Sequence, residues 1–427
     1  MNFENTLEFA NGLDQSKALK KFRNEFLIPP HNGNEAIYFL GNSLGLQPKR
    51  TNEYIQQVLQ QWEDFGVEGF FEGEQPWINY YKQFIPVLSA LVGALPHEVV
   101  VMNQLTVNLH LMLVSFYQPD GKRNKILCES KAFPSDQYVL DTHVKQRGLD
   151  PQDVIIEVQP GNGEVLIKDE DILSAIQQYK DELALVLFGG VNYYTGQVFD
   201  MQSITKAAHA VGAKTGFDLA HAAGNIPLQL HKWDVDFACW CSYKYLNSGP
   251  GAVAGCFIHE RYHNYSSLNR FAGWWGNKKE TQFLMQKNFE PELSAAGWQL
   301  STPSPILFAA HKASLDIFED AGIANVFEKN RQLNSYLWFV LNTIRKEVNE
   351  DAIKILTPSD EQKRGCQVSL AVKNGKKVFE ELSKNGVFTD WREPDVIRIA
   401  PVALYNTFAE VWHFGRILQS AINTYSS

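Results

Sequence analysis

The sequence lacks any apolar run long enough to cross a membrane, because no stretch of its 427 residues approaches the roughly 18 apolar residues that a spanning helix needs. Its first residues, MNFENTLEFANGLDQ, lack the basic region and apolar run of a secretory signal. It has only five cysteines, an odd number, which indicates reduced thiols and not a disulfide framework. We therefore expect a cytoplasmic protein with no membrane partner.

The sequence also lacks an excess of basic residues: 39 Lys and Arg stand against 48 Asp and Glu, a net charge of −9. Phosphate backbones need a basic footprint, so we expect no nucleic-acid partner. Hydrophobic residues make up 44% of the chain and charged residues 20%, which is typical of a globular protein. This composition excludes a disordered, collagen-like or coiled-coil chain.

The middle of the chain alternates helix-like and strand-like segments. Helix candidates at 169–180 and 204–211 alternate with short apolar runs, which are 184–188, 213–217, 236–241 and 252–258. This alternation predicts an α/β fold with a mostly parallel sheet that is covered on both faces. In such sheets, ligands bind at the carboxyl ends of the strands.

The pattern changes near residue 306, where two long amphipathic helices are followed by shorter strand-like runs. We predict an N-terminal arm (1–50), a large domain (51–310) and a smaller α+β domain (311–427).

One motif has the spacing of a zinc peptidase site: residues 259–263 read His-Glu-Arg-Tyr-His, which is H-E-x-x-H. The motif binds zinc within a helix, where both imidazoles share one face. The preceding residues, AVAGCFI, predict a strand that ends at His259. We therefore expect no metal here, and a zinc peptidase that uses His259 and His263 is the distant alternative.

An acid and an amine follow two apolar strand candidates. Asp218 ends the run GFD, and Lys244 comes shortly after the run 236–241. A pyridoxal phosphate enzyme needs this pair, because lysine forms a Schiff base and a carboxylate keeps the pyridine nitrogen protonated. Each residue taken alone is ordinarily a solvated strand end, so the pair is a hypothesis at this point.

Three further positions fit such a cofactor, each with a plainer alternative. The helix that begins near Leu105 and Thr106 offers N–H groups to a phosphate, or is simply capped. Phe133 can stack on a pyridine ring, or belong to the core. Arg398 lies inside an apolar strand, where it needs an anion. That anion is a substrate carboxylate or an internal salt-bridge partner.

Seven stretches closely resemble the kynureninase family, and they cover nearly the whole chain in order. They are 38–48 (YFLGNSLGLQP), 104–110 (QLTVNLH), 131–136 (KAFPSD), 194–197 (YTGQ), 216–225 (GFDLAHAAGN), 235–247 (VDFACWCSYKYLN) and 398–405 (RIAPVALY). The resemblance implies the type I fold of pyridoxal phosphate-dependent transferases, with a seven-stranded sheet. It also implies a homodimer with shared active sites.

The resemblance assigns roles to individual residues. Lys244 would bind the cofactor and act as a base, Asp218 would pair with the pyridine nitrogen, and Tyr243 would bind phosphate and could move a proton. The other implied cofactor-binding residues are Leu105, Thr106, Phe133, Pro134, Ser135, Asp136, His221, Trp274 and Thr302. Those implied for the substrate are Ser43, Phe70 and Arg398. Trp274 and Thr302 would reach the site from the second copy.

The implied reaction is hydrolysis of L-kynurenine to anthranilate and L-alanine, in tryptophan breakdown or NAD supply. This chain departs from some relatives at Gly189, where they carry Ser, and at Thr302, where they carry Asn. Relatives that prefer 3-hydroxykynurenine have His and Asn at the places of Phe70 and Thr302, so we expect this chain to prefer L-kynurenine. The alternative within the same fold is a cysteine desulfurase or an aminotransferase.

Overall fold

The central element of the fold is a seven-stranded sheet. The structure is a computed structural model that describes residues 2–15, 18–264, 268–348 and 350–425. The strands lie in the order Val99–Met102, Ala254–Ile258, Phe237–Trp240, Lys214–Asp218, Leu183–Gly189, Lys125–Glu129 and Ile155–Val158. Ala254–Ile258 is antiparallel to both of its neighbours, and the other four pairings are parallel. The predicted mostly parallel sheet is therefore confirmed.

The central strands are apolar because both faces of the sheet are covered. Leu183–Gly189, with the sequence LALVLFG, is buried over its first six residues. The α-helices of this part of the chain are Thr51–Phe65, Ile85–Val92, Leu105–Phe116, Pro134–Gln146, Pro151–Val154, Asp169–Gln178, Met201–Ala210, Lys279–Gln282 and Pro305–Ala321. Short 3-10 helices are Ala18–Glu25, Gly66–Phe70, Trp77–Phe84, Pro96–Glu98, Glu260–Tyr262, Trp274–Gly276 and Ala295–Trp298.

A second, four-stranded sheet is built from the C-terminal part of the chain. Its strands, in the order Ile353–Ile355, Val368–Val372, Val396–Ile399 and Asp390–Arg392, are all antiparallel. The α-helices here are Ile323–Glu347, Gly375–Lys384 and Phe408–Tyr425, and the 3-10 helices are Glu350–Ala352 and Glu361–Lys363. Their apolar faces form a separate buried cluster with this sheet.

The residues before Thr51 contact both parts of the molecule. Helix Leu7–Gln15 packs on helix Phe408–Tyr425, and Asp14 accepts hydrogen bonds from the first two N–H groups of that helix, each at 3.0 Å. The remaining short strands pair as Phe26–Leu27 with Gln47–Pro48, Pro30–His31 with Asn34–Glu35, and Ile37–Tyr38 with Val387–Phe388. The predicted boundary at residue 310 falls within helix Pro305–Ala321, and the three-part division stays a prediction.

No helix within the described residues is long and apolar enough to cross a membrane.

Candidate active site

The acid and the amine predicted from the sequence meet at the carboxyl ends of neighbouring strands. Asp218 is the last residue of its strand, and Lys244 follows the adjacent strand Phe237–Trp240. Both line a cavity of about 140 Å³. The other lining residues are Gln104, Leu105, Thr106, Glu129, Phe133, Ser135, Asp136, Gly189, Val191, Tyr193, Ala220, His221 and Tyr243.

The Lys244 amine is buried beside a histidine and an aromatic ring. Its Nζ lies 3.0 Å from Nε2 of His221 and 5.8 Å from the centroid of the Phe133 ring. Burial, together with the charge of Lys244, holds the pKa of His221 well below its ordinary value. A neutral imidazole next to the amine can accept a hydrogen bond from it, so this pair orients Nζ without adding a second positive charge.

Two aspartates form the acidic side of the cavity. Oδ1 of Asp218 accepts a hydrogen bond from the Ala220 N–H at 2.6 Å, which fixes the carboxylate after the strand. Burial raises the pKa of Asp218, while burial and the nearby Asp218 raise the pKa of Asp136 well above its ordinary value. Among the described residues, Oδ1 of Asp136 has no hydrogen-bond partner although it is buried. The two carboxyl groups thus suit a ligand that brings an N–H or a positive charge.

Two helix N-termini converge at the other side of the cavity. Helices Leu105–Phe116 and Pro134–Gln146 begin here, and Oγ1 of Thr106 lies 2.8 Å from Oγ of Ser135. Free N–H groups, two hydroxyls and two positive dipole ends make this a place for an anion. Tyr243 lines the same cavity, and burial raises the pKa of its phenol, so the phenol keeps its proton.

The turn after strand Ile37–Tyr38 holds the backbone of the lysine segment. The Gly45 N–H donates to the Tyr243 carbonyl at 2.8 Å. A Cβ at Gly45 would lie only 2.4 Å from the carbonyl oxygen of Lys244, so this close approach requires glycine. The Gly-Asn-Ser-Leu-Gly stretch therefore positions Lys244 from outside the cavity.

The residues present fit pyridoxal phosphate. An amine, a carboxyl pair, an aromatic ring and an anion site correspond to its aldehyde, pyridine nitrogen, ring face and phosphate. The buried Asp136 Oδ1 and His221 Nδ1, which have no partner among the described residues, supply polar atoms for such a ligand to meet.

Comparison with known proteins agrees with this geometry. A family model of the kynureninase C-terminal domain matches residues 326–418. The chain is 54% identical to the kynureninase of Flavobacterium psychrophilum, over 99% of both chains. It is 53% identical to that of Flavobacterium johnsoniae, also over 99% of both, and 48% identical to that of Koribacter versatilis, over 96% of this chain and 97% of the relative.

The chain belongs to the kynureninase family.

Solved structures share its fold. A cysteine desulfurase from Thermococcus onnurineus NA1 has a TM-score of 0.77 at 16% identity, over 95% of this chain and 98% of that one. The C-DES K223A variant, with glycine covalently linked to its pyridoxal phosphate, has a TM-score of 0.74 at 17% identity, over 90% and 96%. The fold, the kynureninase enzyme class and the pyridoxal phosphate cofactor predicted from the sequence are confirmed.

Most of the predicted cofactor-binding residues come together within one chain. Those that line the cavity are Leu105, Thr106, Phe133, Ser135, Asp136, Asp218, His221, Tyr243 and Lys244. Pro134, between Phe133 and Ser135, is the first residue of its helix.

Apart from Pro134 and Arg398, four predicted residues do not line this cavity. Ser43 donates its N–H to the Leu40 carbonyl, in the turn that contacts the lysine segment. Phe70 packs edge-to-face on Trp77 at 5.3 Å. Trp274 and Thr302 are exposed. The roles of all four in the site stay predictions.

Arg398 is buried in the four-stranded sheet close to the cavity. Its Nη2 pairs with Asp390, and its Nη1 donates to the Tyr193 carbonyl at 2.6 Å. The internal salt bridge that the sequence left open as one alternative is therefore present. Tyr193 lines the cavity, and its ring centroid lies 5.3 Å from that of Phe133. The hydrogen bond from Arg398 to the Tyr193 carbonyl therefore holds the guanidinium beside the site.

Sequence reasoning missed Glu129, a third acid in the cavity. Its oxygens accept hydrogen bonds from the Gly189 N–H at 3.1 Å and the Asn192 amide at 2.7 Å. A Cβ at Gly189 would lie 2.7 Å from Oε1 of Glu129, so glycine at this position makes room for this carboxyl. The only signal in the sequence was its place at the end of strand Lys125–Glu129.

Glu129 should make the stability of the cofactor-free protein depend on pH near neutrality. Burial raises its pKa from 4.5 to about 7, so the folded state binds the proton more tightly than the unfolded chain. The resulting stabilisation is complete below the unfolded pKa and is lost as the pH rises through the folded pKa. Between about pH 4.5 and pH 8, wild type should lose about 3 kcal/mol relative to Glu129→Gln.

Urea unfolding of both proteins at a series of pH values measures this difference. Parallel stability curves for the two proteins would show that Glu129 does not titrate in this range.

The H-E-x-x-H residues do not form a peptidase site. Strand Ala254–Ile258 ends directly before His259, as predicted, and only a short 3-10 helix follows. Nε2 of His263 is hydrogen-bonded to the Ile258 carbonyl at 3.0 Å, so the two histidines of the motif do not share a site.

All five cysteines are buried, so none is exposed as the nucleophile of a desulfurase would be.

Proposed function

We propose that this chain hydrolyses L-kynurenine to anthranilate and L-alanine in the cavity that holds Lys244 and Asp218. A buried amine, a carboxyl pair and two helix N-termini meet in one cavity, and this observation carries the proposal. The family supplies the substrate class, since its curated members that this chain matches are named kynureninases.

Lys244 would hold the cofactor covalently and then act as a base. When bound, pyridoxal phosphate supplies an electron-accepting ring that stabilises negative charge at the substrate Cα. Lys244 would remove the Cα proton of the bound substrate, because its Nζ enters the cavity next to His221. The neutral His221 keeps that amine oriented and does not compete for the proton.

The carboxyl pair and Tyr243 control two other protons. Asp218, held by the Ala220 N–H, would keep a proton on the pyridine nitrogen of the bound cofactor. Asp136 beside it serves as the second, protonated acid. Tyr243, whose phenol keeps its proton, would donate that proton to the substrate Cβ as the Cβ–Cγ bond breaks. One water molecule is consumed in this step: its oxygen is added to the ketone carbon Cγ, which leaves as the carboxyl carbon of anthranilate. The phenol would also bind the phosphate.

Arg398 would bind the substrate carboxylate. Its guanidinium is 1% exposed and already fixed by Asp390 and the Tyr193 carbonyl, so little side-chain entropy is lost on binding. Its Nε has no partner among the described residues and remains available as a donor.

The absorbance spectrum of the purified protein tests the cofactor site. A visible band that borohydride removes, with the reduced pyridoxyl group on the Lys244 peptide alone, is the expected result. A colourless protein that does not bind added pyridoxal phosphate would contradict the proposal.

We expect a preference for L-kynurenine over 3-hydroxykynurenine of about ten-fold in kcat/KM. Phe70 offers no hydrogen bond to an extra hydroxyl, and burying that hydroxyl unpaired costs about 1–3 kcal/mol. The Phe70→His, Thr302→Asn double variant should bring kcat/KM for the two substrates closer together, because its new polar side chains can hydrogen-bond the extra hydroxyl. Steady-state kinetics with both substrates measures it, and a wild-type preference for 3-hydroxykynurenine would show that other residues form the ring pocket.

We also propose that the chain works as a homodimer. Phe283 contacts both Phe71 and Trp274, at 5.6 and 5.7 Å, and the three rings are 42–52% exposed. A patch of this kind is typical of a protein interface. A second copy bound at this patch would cover the rings and bring Trp274 and Thr302 of each chain toward the cavity of the other. Analytical ultracentrifugation measures the mass in solution, and we expect the mass of two chains.

The five buried cysteines form no disulfide among the described residues, which supports the proposal of a cytoplasmic location. The proposed role in tryptophan breakdown or NAD supply rests on the family resemblance.

A further inference from the structure

Histidines and acids gather at the edge of the large sheet opposite the active site. Glu98 directly precedes strand Val99–Met102, and His259 directly follows the paired strand Ala254–Ile258. His231 joins them from the segment between the strands that end at Asp218 and begin at Phe237. Because strand Phe237–Trp240 starts at this edge and runs toward Lys244, the cluster is separated from the active site by the length of the sheet.

The ligand atoms of these three side chains converge. Nδ1 of His231 lies 3.0 Å from Oε1 of Glu98, and Nδ1 of His259 lies 3.6 Å from the same oxygen. Zinc with bonds of about 2.0–2.2 Å holds neighbouring tetrahedral ligand atoms about 3.4 Å apart. The two observed distances bracket that value.

The hydrogen bonds of His259 favour the tautomer that binds metal through Nδ1. That nitrogen accepts a long hydrogen bond from the Arg261 N–H, at 3.3 Å, while Nε2 faces Oδ1 of Asp234 at 3.4 Å. A ligating imidazole ordinarily directs its other N–H to a carboxylate in this way. Asp234 is itself held by Arg261 at 2.6 Å.

Glu98 is a fully buried carboxylate that two backbone hydrogen bonds hold in position beside the histidines. The N–H groups of Leu95 and Glu260 donate to its two oxygens, each at 2.9 Å. A carboxylate has further lone pairs, so a metal ion can bind without loss of these bonds. The His231 side chain is 35% exposed, which gives an ion and a completing water a path to the cluster.

We propose that Glu98, His231 and His259 bind a divalent transition-metal ion of the zinc type. The bound ion would take the place of the proton that Nδ1 of His231 shares with Glu98. It would also take the place of the long hydrogen bond that the Arg261 N–H donates to Nδ1 of His259. Two imidazoles and one carboxylate are a ligand set that zinc accepts. The ion would tie together three chain segments at the amino ends of the strands, with no part in the chemistry at Lys244.

Zinc binding to the untagged holoenzyme, stripped with a chelator and saturated with cofactor, tests the proposal. We expect one Zn²⁺ per chain, visible absorption of Co²⁺ in its place, and an affinity loss of about 100-fold in His231→Ala and His259→Ala. His97→Ala and His263→Ala are matched controls, since both are neighbouring histidines outside the ligand set and should bind as wild type does.

Two results would overturn the site: no Zn²⁺ bound by wild type at micromolar concentrations, or equal loss of binding in the control variants. If His259→Ala fails to fold, the zinc affinity of His231→Asn tests the site instead. The His231 side chain is partly exposed and is not part of the core, so this variant should fold. Retained kynurenine hydrolysis in the variants shows that the active site is intact and separates this proposal from the proposed function.

Discussion

Lys244→Ala should abolish turnover, with a loss of about 10⁴-fold or more in kcat, while the fold survives. Among the described residues that line the cavity, Lys244 supplies the only amine, so no other group there can bind the aldehyde or replace the base. The variant removes a side chain that contacts His221 and fills no apolar core, so circular dichroism should match wild type. Assays of kynurenine hydrolysis measure the loss.

The exposed Lys232 provides the control for this substitution. Lys232→Ala should keep full activity and the visible absorbance band, whereas Lys244→Ala should lose the band that borohydride reduces. Activity near that of wild type in Lys244→Ala would overturn the assignment of the whole cofactor site.

Asp218→Ala should lose about 10³-fold in kcat, which is about 4 kcal/mol of transition-state stabilisation. Without this carboxylate the pyridine nitrogen is protonated less often, and the ring accepts negative charge from the substrate Cα less well. Removal of a buried acid with a raised pKa should not unfold the protein. Steady-state kinetics and a cofactor titration of the variant measure the effect.

The neighbouring acid is the matched comparison. Asp136→Ala should lose only about ten-fold, because we assign Asp136 to the protonated, secondary role. Equal and small losses in the two variants would mean that neither carboxylate holds the pyridine nitrogen. A larger loss of kcat in Asp136→Ala than in Asp218→Ala would mean that Asp136 pairs with the pyridine nitrogen and Asp218 is the secondary acid.

Local patterns in the sequence predicted the α/β architecture and placed Asp218 and Lys244 at the ends of strands, while the resemblance supplied the type I fold and the roles of the two residues. Apolar runs predicted strands that end at Asp218 and before Lys244, and spacing predicted the helix that begins at Leu105. Carboxyl ends of parallel strands share one sheet edge, so residues far apart in the chain could be placed together. The strand before His259 also argued against a peptidase helix, and the structure confirms it.

Only the tertiary structure decided which partners these residues have. Glu129 enters the cavity because Gly189 leaves space on the next strand, and Arg398 pairs with Asp390 across two neighbouring strands. His259 meets Glu98 and His231 instead of His263, its partner in the motif. Strand periodicity fixes where a side chain leaves the backbone, but the contact it makes depends on packing between segments distant in sequence, which no local pattern records.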